Sequence, residues 1–115
     1  IKEIGKEIKA SILKYSDIDV MSKDSECITY FDYDILKFPL IVRCFRPGDR
    51  FKPFGMKGTK KVKDLFIEKK MPSSERKKTP ILLSGDDIIW VAGIRRGEMA
   101  KVDKDTKRIL MVEMV

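Results

Sequence analysis

The sequence predicts an α+β fold: a compact, β-rich, layered domain with one central amphipathic helix. Two adjacent apolar runs, 80–84 and 87–92, are joined by Gly85-Asp86, which is typical of a tight hairpin. Their continuous apolar character indicates burial on both faces. One stretch, 60–70, repeats its apolar residues at helical spacing. Strands therefore outnumber helices, and the order is not the alternation of a βαβ array.

Three further strands are predicted in the N-terminal half, at 6–13, 26–31 and 40–46. The first is ambiguous between a strand and a short helix, and the polar, turn-like residues after it favour a strand. The second is rich in β-branched and aromatic residues. The third alternates loosely behind Pro39, a residue tolerated where a strand begins.

The centre of the chain is predicted as a long loop, 47–59, followed by the amphipathic helix. Prolines and glycines interrupt the loop, and its glycines are suited to positive φ. Thr59 is expected to cap the helix, and Met71-Pro72 is expected to end it. The apolar stripe of this helix consists of Val62, Leu65 and Phe66, which leaves a basic outer face.

The rest of the chain completes the prediction. The remaining elements are a helical turn at 73–78 capped by Ser73 or Ser74, a turn at 93–97, and strands at 101–102 and 108–112. Trp90 lies inside an apolar run and is expected in the core. Asp32 and Asp34 are expected to be solvated turn residues.

Composition bounds the class of protein. With 115 residues, 43% of them hydrophobic, the chain is expected to form one domain, 1–115, with a core that needs neither disulfide nor metal. The absence of histidine excludes Ser-His-Asp and Cys-His catalysis and His-ligated metals. No apolar run is long enough for a membrane span, and none resembles a signal peptide. A cytoplasmic location is therefore expected.

Two cysteines and the first residue add expectations about context. Cys27 and Cys44 are expected to be buried thiols in a reducing compartment, with a disulfide as the alternative. The chain begins with Ile1 rather than Met. We therefore expect a processed protein or a piece of a longer one.

Positive charge is concentrated in the central third. The formal net charge is +7, yet residues 43–78 hold 13 basic and four acidic side chains, a net of +9, and the remainder is −2. A concentrated positive field beside flexible backbone suits a polyanion. Nucleic acid is favoured over a merely solvated face. It is also favoured over an anionic membrane, because no helix pairs a strong apolar face with the basic one.

The segment Arg46-Pro-Gly-Asp-Arg-Phe51 is the most specific motif. Its functional interpretation is a backbone bend that presents two arginines to phosphates, since the guanidinium fork suits bidentate contact. The alternative is a turn in which Asp49 holds an arginine. Both interpretations stay open from the residues alone.

A glycine-flanked lysine precedes the helix. Gly55-Met-Lys-Gly58 is followed by Thr59-Lys60-Lys61, but the spacing is not that of a Walker loop, and the helices that flank a KH-type loop are missing. What remains is a helix start beside two ammonium groups, which is a suitable phosphate seat. The predicted RNA-binding residues are Arg46, Arg50, Lys57, Lys60, Lys61, Lys63 and Arg95. No catalytic, cofactor-binding or metal-binding residue is predicted.

An ordered series of blocks resembles a known family. The blocks are Arg46-Pro-Gly-Asp-Arg-Phe51, Pro53-x-Gly55-Met-x-Gly58-x-Lys60-Lys61, Lys63-Asp-x-Phe-Ile67, Lys70-Met-Pro72, Trp90-Val-x-Gly93 and Arg95-x-Gly97-Glu98. Together they resemble the C-terminal domain of bacterial tRNA(Ile)-lysidine synthase, from about residue 30 to residue 110. The chain departs from the family pattern at Arg96, where an aliphatic residue is common, and at Lys77, where an acid is common.

The resemblance implies a function for a larger enzyme. That family uses ATP to activate the wobble cytidine of an isoleucine tRNA and joins lysine to it, in an N-terminal catalytic domain with a Ser-Gly-Gly loop. No such domain is found in this chain, so no cofactor is expected here and the chain by itself is expected to be non-catalytic. The implied fold is similar to a domain of the phenylalanyl-tRNA synthetase β chain.

The implied partners are isoleucine tRNA and the catalytic domain of the same enzyme, with no membrane and with a homodimer left open. The implied role is to hold the tRNA body and acceptor stem. Two alternatives remain: a structural or oligomerisation domain of the same enzyme, and a free-standing basic RNA-binding domain.

Overall fold

The structure, a computed structural model, describes residues 8–14 and 27–114. Within these ranges five strands come first, two short helices follow, and four strands complete the order. In chain order they are β1 (Ile8–Lys14), β2 (Ile28–Asp32), β3 (Leu40–Cys44), β4 (Arg50–Phe51), β5 (Lys60–Lys61), α1 (Val62–Glu68), α2 (Ser73–Arg76), β6 (Pro80–Ser84), β7 (Asp87–Val91), β8 (Arg95–Arg96) and β9 (Arg108–Met114).

The described strands form three antiparallel sheets. The three-stranded sheet has the order β1-β9-β2, with Ile8 opposite Met114 and Ile28 opposite Glu113. The four-stranded sheet has the order β3-β6-β7-β8, so β3 is an edge strand. Strands β4 and β5 pair with each other over two residues.

Two hydrophobic clusters make up the core. The first cluster consists of Phe31, Leu36, Leu82, Ile89, Trp90, Ala92, Ala100, Leu110 and Val112. The second cluster consists of Phe51, Val62, Leu65, Phe66, Ile81, Leu83, Ile88 and Val91. The first cluster joins the central hairpin to the three-stranded sheet, and the second joins it to α1 and β4.

The β6–β7 hairpin lies between the two clusters, because successive strand side chains point to opposite faces. Leu82 belongs to the first cluster, whereas its neighbours Ile81 and Leu83 belong to the second. A bulge at Ile89 turns two successive side chains, Ile89 and Trp90, toward the first cluster. The predicted hairpin, its burial on both faces, the core position of Trp90 and the β-rich layered fold are thus confirmed.

The predicted helix is shorter than expected. It begins at Val62 rather than at residue 60, and Lys61, not Thr59, occupies the N-cap without a side-chain cap bond. Lys60 and Lys61 are extended because they pair with β4. The helix ends at Glu68, and Lys70 adopts a φ of 55°. The second helical turn, α2, has Pro72 at its N-cap, so the predicted serine caps are wrong.

Other predictions need correction. Lys101 and Val102 are not in a strand, and the short strands β4, β5 and β8 were not expected. Asp32 is buried rather than solvated, because its carboxylate accepts hydrogen bonds from the Thr106 hydroxyl at 3.1 Å and the Asp34 amide at 3.1 Å. The part of the first predicted strand before residue 8 lies outside the described residues.

The cysteines and the membrane expectation can be compared with the described ranges. Cys27 is exposed and Cys44 is half-buried, so the prediction of buried thiols is wrong for Cys27, and the two are not joined as a disulfide. No helix within residues 8–14 and 27–114 has the length and apolar character to cross a membrane, and α1 has seven residues.

Candidate nucleic-acid interface

The β4–β5 ribbon places two cations opposite each other. Gly48, with a φ of +93°, lets the chain turn after Arg46, and the Asp49 amide donates to the Arg46 carbonyl at 3.1 Å. The ribbon then pairs Arg50 with Lys61 and Phe51 with Lys60. Phe51 is buried in the second cluster, whereas Arg50 and Lys61 are exposed. Residues directly opposite in an antiparallel pair share one face, so these two positive charges are neighbours.

Asp49 is held by an arginine that was not among the predicted site residues. The Arg43 guanidinium donates two hydrogen bonds to the Asp49 carboxylate, each at 2.9 Å. The Arg46 amide donates a third at 2.9 Å. Partial burial raises the pKa of Asp49, but these bonds and the charges of both arginines outweigh it and lower the pKa below its ordinary value. Asp49 is therefore ionised and committed to the turn.

This pair bears on the two interpretations of the motif. An arginine is indeed held by Asp49, but it comes from β3, outside the motif. The side chains of Arg46 and Arg50 are exposed, and Arg50 donates to the Thr59 hydroxyl at 3.3 Å. The turn is thus built by Arg43 and Asp49, while the two motif arginines face solvent.

Lys60 differs from its neighbour Lys61. Its ammonium forms an ion pair with Glu68 at the end of α1, and its side chain is 19% exposed. The first helical amide, that of Val62, donates to the Asp49 carbonyl at 2.9 Å. The predicted phosphate seat at the helix start is therefore not formed as expected, because the lysines precede the helix and its first N–H is occupied.

The remaining predicted residues are placed on different elements. Lys57 is exposed in the loop between β4 and β5, and Lys63 is exposed on α1. Arg95 lies on β8, is half-buried, and donates to the Phe54 carbonyl at 2.9 Å. Arg95 is thus engaged with the loop rather than fully available to a ligand. Five of the seven predicted residues are exposed, and we call these five the exposed basic group: Arg46, Arg50, Lys57, Lys61 and Lys63.

Two open grooves flank the ribbon. One of about 480 Å³ is lined by Arg50, Met56, Thr59, Lys60, Lys61, Asp64, Ile67 and Glu68. The other, about 410 Å³, lies toward the tip of the central hairpin and is lined in part by Asp86 and Glu98. Arg50 and Thr59 line both grooves. The first groove brings together three of the seven predicted residues: Arg50, Lys60 and Lys61.

Arg96, one of the two departures from the family pattern, faces the edge of the core rather than solvent. Its guanidinium lies 4.4 Å from the ring centre of Phe31 and 4.9 Å from that of Phe54. It also donates to the carbonyls of Tyr30 and Met99. In the described part of the chain, no three His, Cys, Asp or Glu side chains are grouped so that they could hold a metal ion.

The chain resembles known proteins in sequence. Residues 40–113 match the family described as the TilS substrate C-terminal domain. The chain is 44% identical over 98% of its length to a tRNA(Ile)-lysidine synthase of Caldanaerobacter subterraneus subsp. tengcongensis, and 43% identical over 75% of its length to one of Geobacter sulfurreducens. It spans 24% and 18% of those two relatives, so it corresponds to about a quarter or less of their length.

Solved structures show the same fold. A crystal structure of a TilS C-terminal domain has a TM-score of 0.84 and 28% identity, over 96% of this chain and 84% of that one. An N-terminal fragment of the phenylalanyl-tRNA synthetase β-subunit from Pyrococcus horikoshii has a TM-score of 0.71 and 16% identity, over 94% of this chain and 39% of that one. The second likeness, at this identity, is one of fold.

Proposed function

The chain belongs to the family of C-terminal domains of tRNA(Ile)-lysidine synthase, and from that premise we propose that it is a tRNA-binding domain. In this proposal residues 1–115 form one domain that helps to hold isoleucine tRNA in the cytoplasm. A separate N-terminal domain of the same enzyme uses ATP to activate the wobble cytidine and attaches lysine. We propose that this chain supplies neither a catalytic residue nor a cofactor site.

The observation that carries the proposal is the juxtaposition of Arg50 and Lys61 across the ribbon. Like charges directly opposite each other destabilise a strand pair. Two nearby acids do not relieve this, because Asp49 is committed to Arg43 and Glu68 to Lys60. A third acid, Asp64, lines the same groove but forms no ion pair with Arg50 or Lys61. A phosphate backbone would supply the missing counter-charge, and both cations are exposed to reach it.

The exposed basic group extends this arrangement along the chain. Arg46 precedes the ribbon, Lys57 lies in its connecting loop, and Lys63 follows on α1. The second cluster supports the ribbon and the helix start, which carry Arg50, Lys61 and Lys63, because Phe51 and Val62 are buried in it. A supported set of cations contacts phosphates at a lower cost in side-chain and loop ordering than a mobile one.

Charge reversal tests the proposal. Lys57→Glu with Lys61→Glu should weaken binding of an isoleucine tRNA transcript by about tenfold or more, because it removes two phosphate contacts and adds two repulsive charges. Both lysines are exposed, so folding should be retained. Affinity is measured at fixed salt, and the urea midpoint confirms that the variants are folded.

The matched control is Lys104→Glu with Lys107→Glu. These lysines are also exposed, and they lie in the loop before β9, outside the basic span. The change in net charge is the same in both double variants. Equal weakening by the two pairs would mean that the protein presents only a diffuse positive field, and the proposed site would be rejected.

A second candidate function is favoured by the edge strand β3. Ile41 and Val42 are 44% and 37% exposed although they point to opposite faces, and Phe38 beside them is 53% exposed. An apolar sheet edge of this kind is typical of a surface that packs against another domain. Ile41→Lys in the full-length enzyme tests it: lost assembly of the folded enzyme with tRNA affinity retained favours the structural function.

A further inference from the structure

The loop that carries Lys57 is attached along one side to the end of the four-stranded sheet. Pro53 forms an isolated antiparallel bridge with Gly97. The Phe54 amide donates to the Arg96 carbonyl at 3.0 Å, and the Glu98 amide donates to the Lys52 carbonyl at 2.8 Å. The base of the loop therefore continues the sheet beyond β8.

Side chains complete the attachment. The Glu98 carboxylate accepts a hydrogen bond from the Gly55 amide at 2.6 Å, across 43 positions of sequence. Arg95 donates to the Phe54 carbonyl at 2.9 Å, and the Arg96 guanidinium lies over the Phe54 ring. The Gly55 amide, the Phe54 carbonyl and the Phe54 ring are thus held by the side chains of Glu98, Arg95 and Arg96, respectively.

Gly97 makes this close approach feasible. A Cβ at this position would lie 3.0 Å from the Ile88 carbonyl oxygen and 3.3 Å from that of Lys52. Both neighbours are backbone atoms of ordered segments, so they cannot move aside cheaply. The glycine therefore lets β8 and its extension lie against the loop base without strain.

An acidic side chain at this place needs an explanation. Glu98 lies between Gly55 and Lys101, in a region where a carboxylate would repel a polyanion. Its second oxygen accepts from the Lys101 ammonium at 3.0 Å, so both oxygens are occupied. The Gly55 hydrogen bond, then Lys101, lower the pKa of Glu98 below its ordinary value, which keeps the acceptor ionised.

We propose that Glu98 and Arg95 are positioning residues that fix the loop 53–58 and thereby present Lys57 to the RNA backbone. This inference rests on the proposed tRNA-binding function. It changes the assignment of Arg95, whose guanidinium holds the Phe54 carbonyl instead of contacting phosphate directly. Arg96 completes the attachment, because it links the Phe54 ring to Phe31 in the first cluster.

The loop attachment can be measured without RNA. In the 115-residue chain labelled with ¹⁵N, the Gly55 amide should be protected from exchange, and its resonance should shift upfield in Glu98→Ala. Glu98→Gln keeps an acceptor oxygen and should restore much of the shift and the protection. A Gly55 resonance and exchange rate unchanged by Glu98→Ala would overturn the proposal.

RNA binding tests the proposal through the direction in which tRNA affinity changes when an acidic side chain is removed. Asp86 lines the same groove as Glu98 and is exposed at the hairpin tip, so Asp86→Asn removes an equal charge near the site without touching the loop. Removing an acid alone should leave affinity for an isoleucine tRNA transcript unchanged or slightly higher. Glu98→Ala should instead lower the affinity several-fold, and Glu98→Gln should recover most of it.

The outcomes separate the inference from the function on which it rests. If the wild-type chain binds tRNA and Glu98→Ala binds as tightly as Asp86→Asn, the positioning role is wrong and the proposed function stands. If the wild-type chain shows no salt-dependent tRNA binding, the proposed function fails, while the Gly55 measurement still decides whether Glu98 holds the loop. A thermal unfolding midpoint for each variant shows that lost binding is not lost folding.

Discussion

The two faces of the central β6–β7 hairpin support layers of different character. On the first-cluster face, the three-stranded sheet covers Leu82 and Trp90, and the arginine of that interface, Arg96, is engaged with Phe31 and carbonyl oxygens. On the second-cluster face, a ribbon of two two-residue strands and a seven-residue helix cover Ile81 and Leu83. The exposed basic group belongs to this thinner layer.

This difference indicates how the chain separates a framework from the proposed binding surface. The three-stranded sheet has long strands with regular pairing, seven residues each in β1 and β9. The ribbon has little pairing of its own and depends on anchors such as Phe51 and on the Asp49 contacts. Phe51 packs against the face of the β6–β7 hairpin that is opposite to the three-stranded sheet. The hairpin therefore positions the cations, although the cations are not part of the three-stranded sheet.

The largest expected effect on stability comes from replacing one buried leucine by alanine in each of the two clusters. Leu65→Ala in the second cluster and Leu110→Ala in the first should each lower the free energy of unfolding by about 2–5 kcal/mol, because each deletes buried methyl groups and leaves a cavity. Urea denaturation measures both. The two losses should be of similar size.

The two variants should differ in their affinity for tRNA. At a temperature where circular dichroism shows both variants folded, Leu65→Ala should weaken tRNA binding, because α1 carries Lys63 and packs beside β5. Leu110→Ala should bind like the wild type. If both variants lose affinity equally, the two layers are not functionally distinct.

Salt dependence gives the next effect in size. If four of the exposed basic group contact duplex phosphates, log affinity should fall against log salt with a slope near −3.6, or roughly 100-fold between 50 and 200 mM salt. Lys61→Ala should reduce the slope by about 0.9, and Lys107→Ala should leave it unchanged. A slope near zero in the wild type would point to a different partner.

Asp49 tests what holds the turn of the thinner layer. Asp49→Ala should lower the free energy of unfolding by about 1–3 kcal/mol, because the half-buried Arg43 guanidinium and the Arg46 amide lose their acceptor. Adding Arg43→Leu should recover part of the loss, since it removes the orphaned charge. A double variant that loses the sum of the two single losses would mean that the pair is not coupled.

The same residue predicts a dependence on pH. Because the folded state lowers the pKa of Asp49 below its ordinary value of 3.8, its contribution is present above that pH and is lost as the pH falls through the folded pKa. The difference in urea midpoint between wild type and Asp49→Ala should therefore be constant near neutral pH and shrink below about pH 4. A difference that does not shrink at all as the pH falls below 4 would contradict this assignment.

Local patterns predicted what local patterns determine. The β6–β7 hairpin and its two-sided burial follow from apolar runs around a glycine turn. The local sequence pattern did not predict the β4–β5 ribbon. Its two-residue strands depend on the burial of Phe51 and on the hydrogen bond from the Val62 amide to the Asp49 carbonyl. The helix start was misplaced for the same reason, since Lys60 and Lys61 are drawn into that ribbon.

The candidate site divides in the same way. Clustered charge predicted the exposed basic group, and one of the two interpretations of the motif around Asp49 was that Asp49 holds an arginine. The partner could not be named, because Arg43 lies on another strand whose position depends on the sheet. Glu98 belongs to the Arg95-x-Gly97-Glu98 block but was not predicted as a site residue, because its hydrogen-bond partner Gly55 is distant in sequence. Contacts between separate segments were thus the part that sequence could not supply.

The smallest expected effect comes from an ion pair on the three-stranded sheet. Arg108 at the start of β9 pairs with Asp34, and both side chains are about half exposed, 56% and 42%. Solvent and salt screen such a pair, so Arg108→Ala should leave the urea midpoint and tRNA affinity nearly unchanged. Lys61→Ala is the matched comparison, because it removes one exposed cation from the thinner layer and should weaken tRNA binding by a few-fold. If Arg108→Ala weakens binding as much as Lys61→Ala, the RNA surface includes the three-stranded sheet, and the division of the domain into framework and binding layer is wrong.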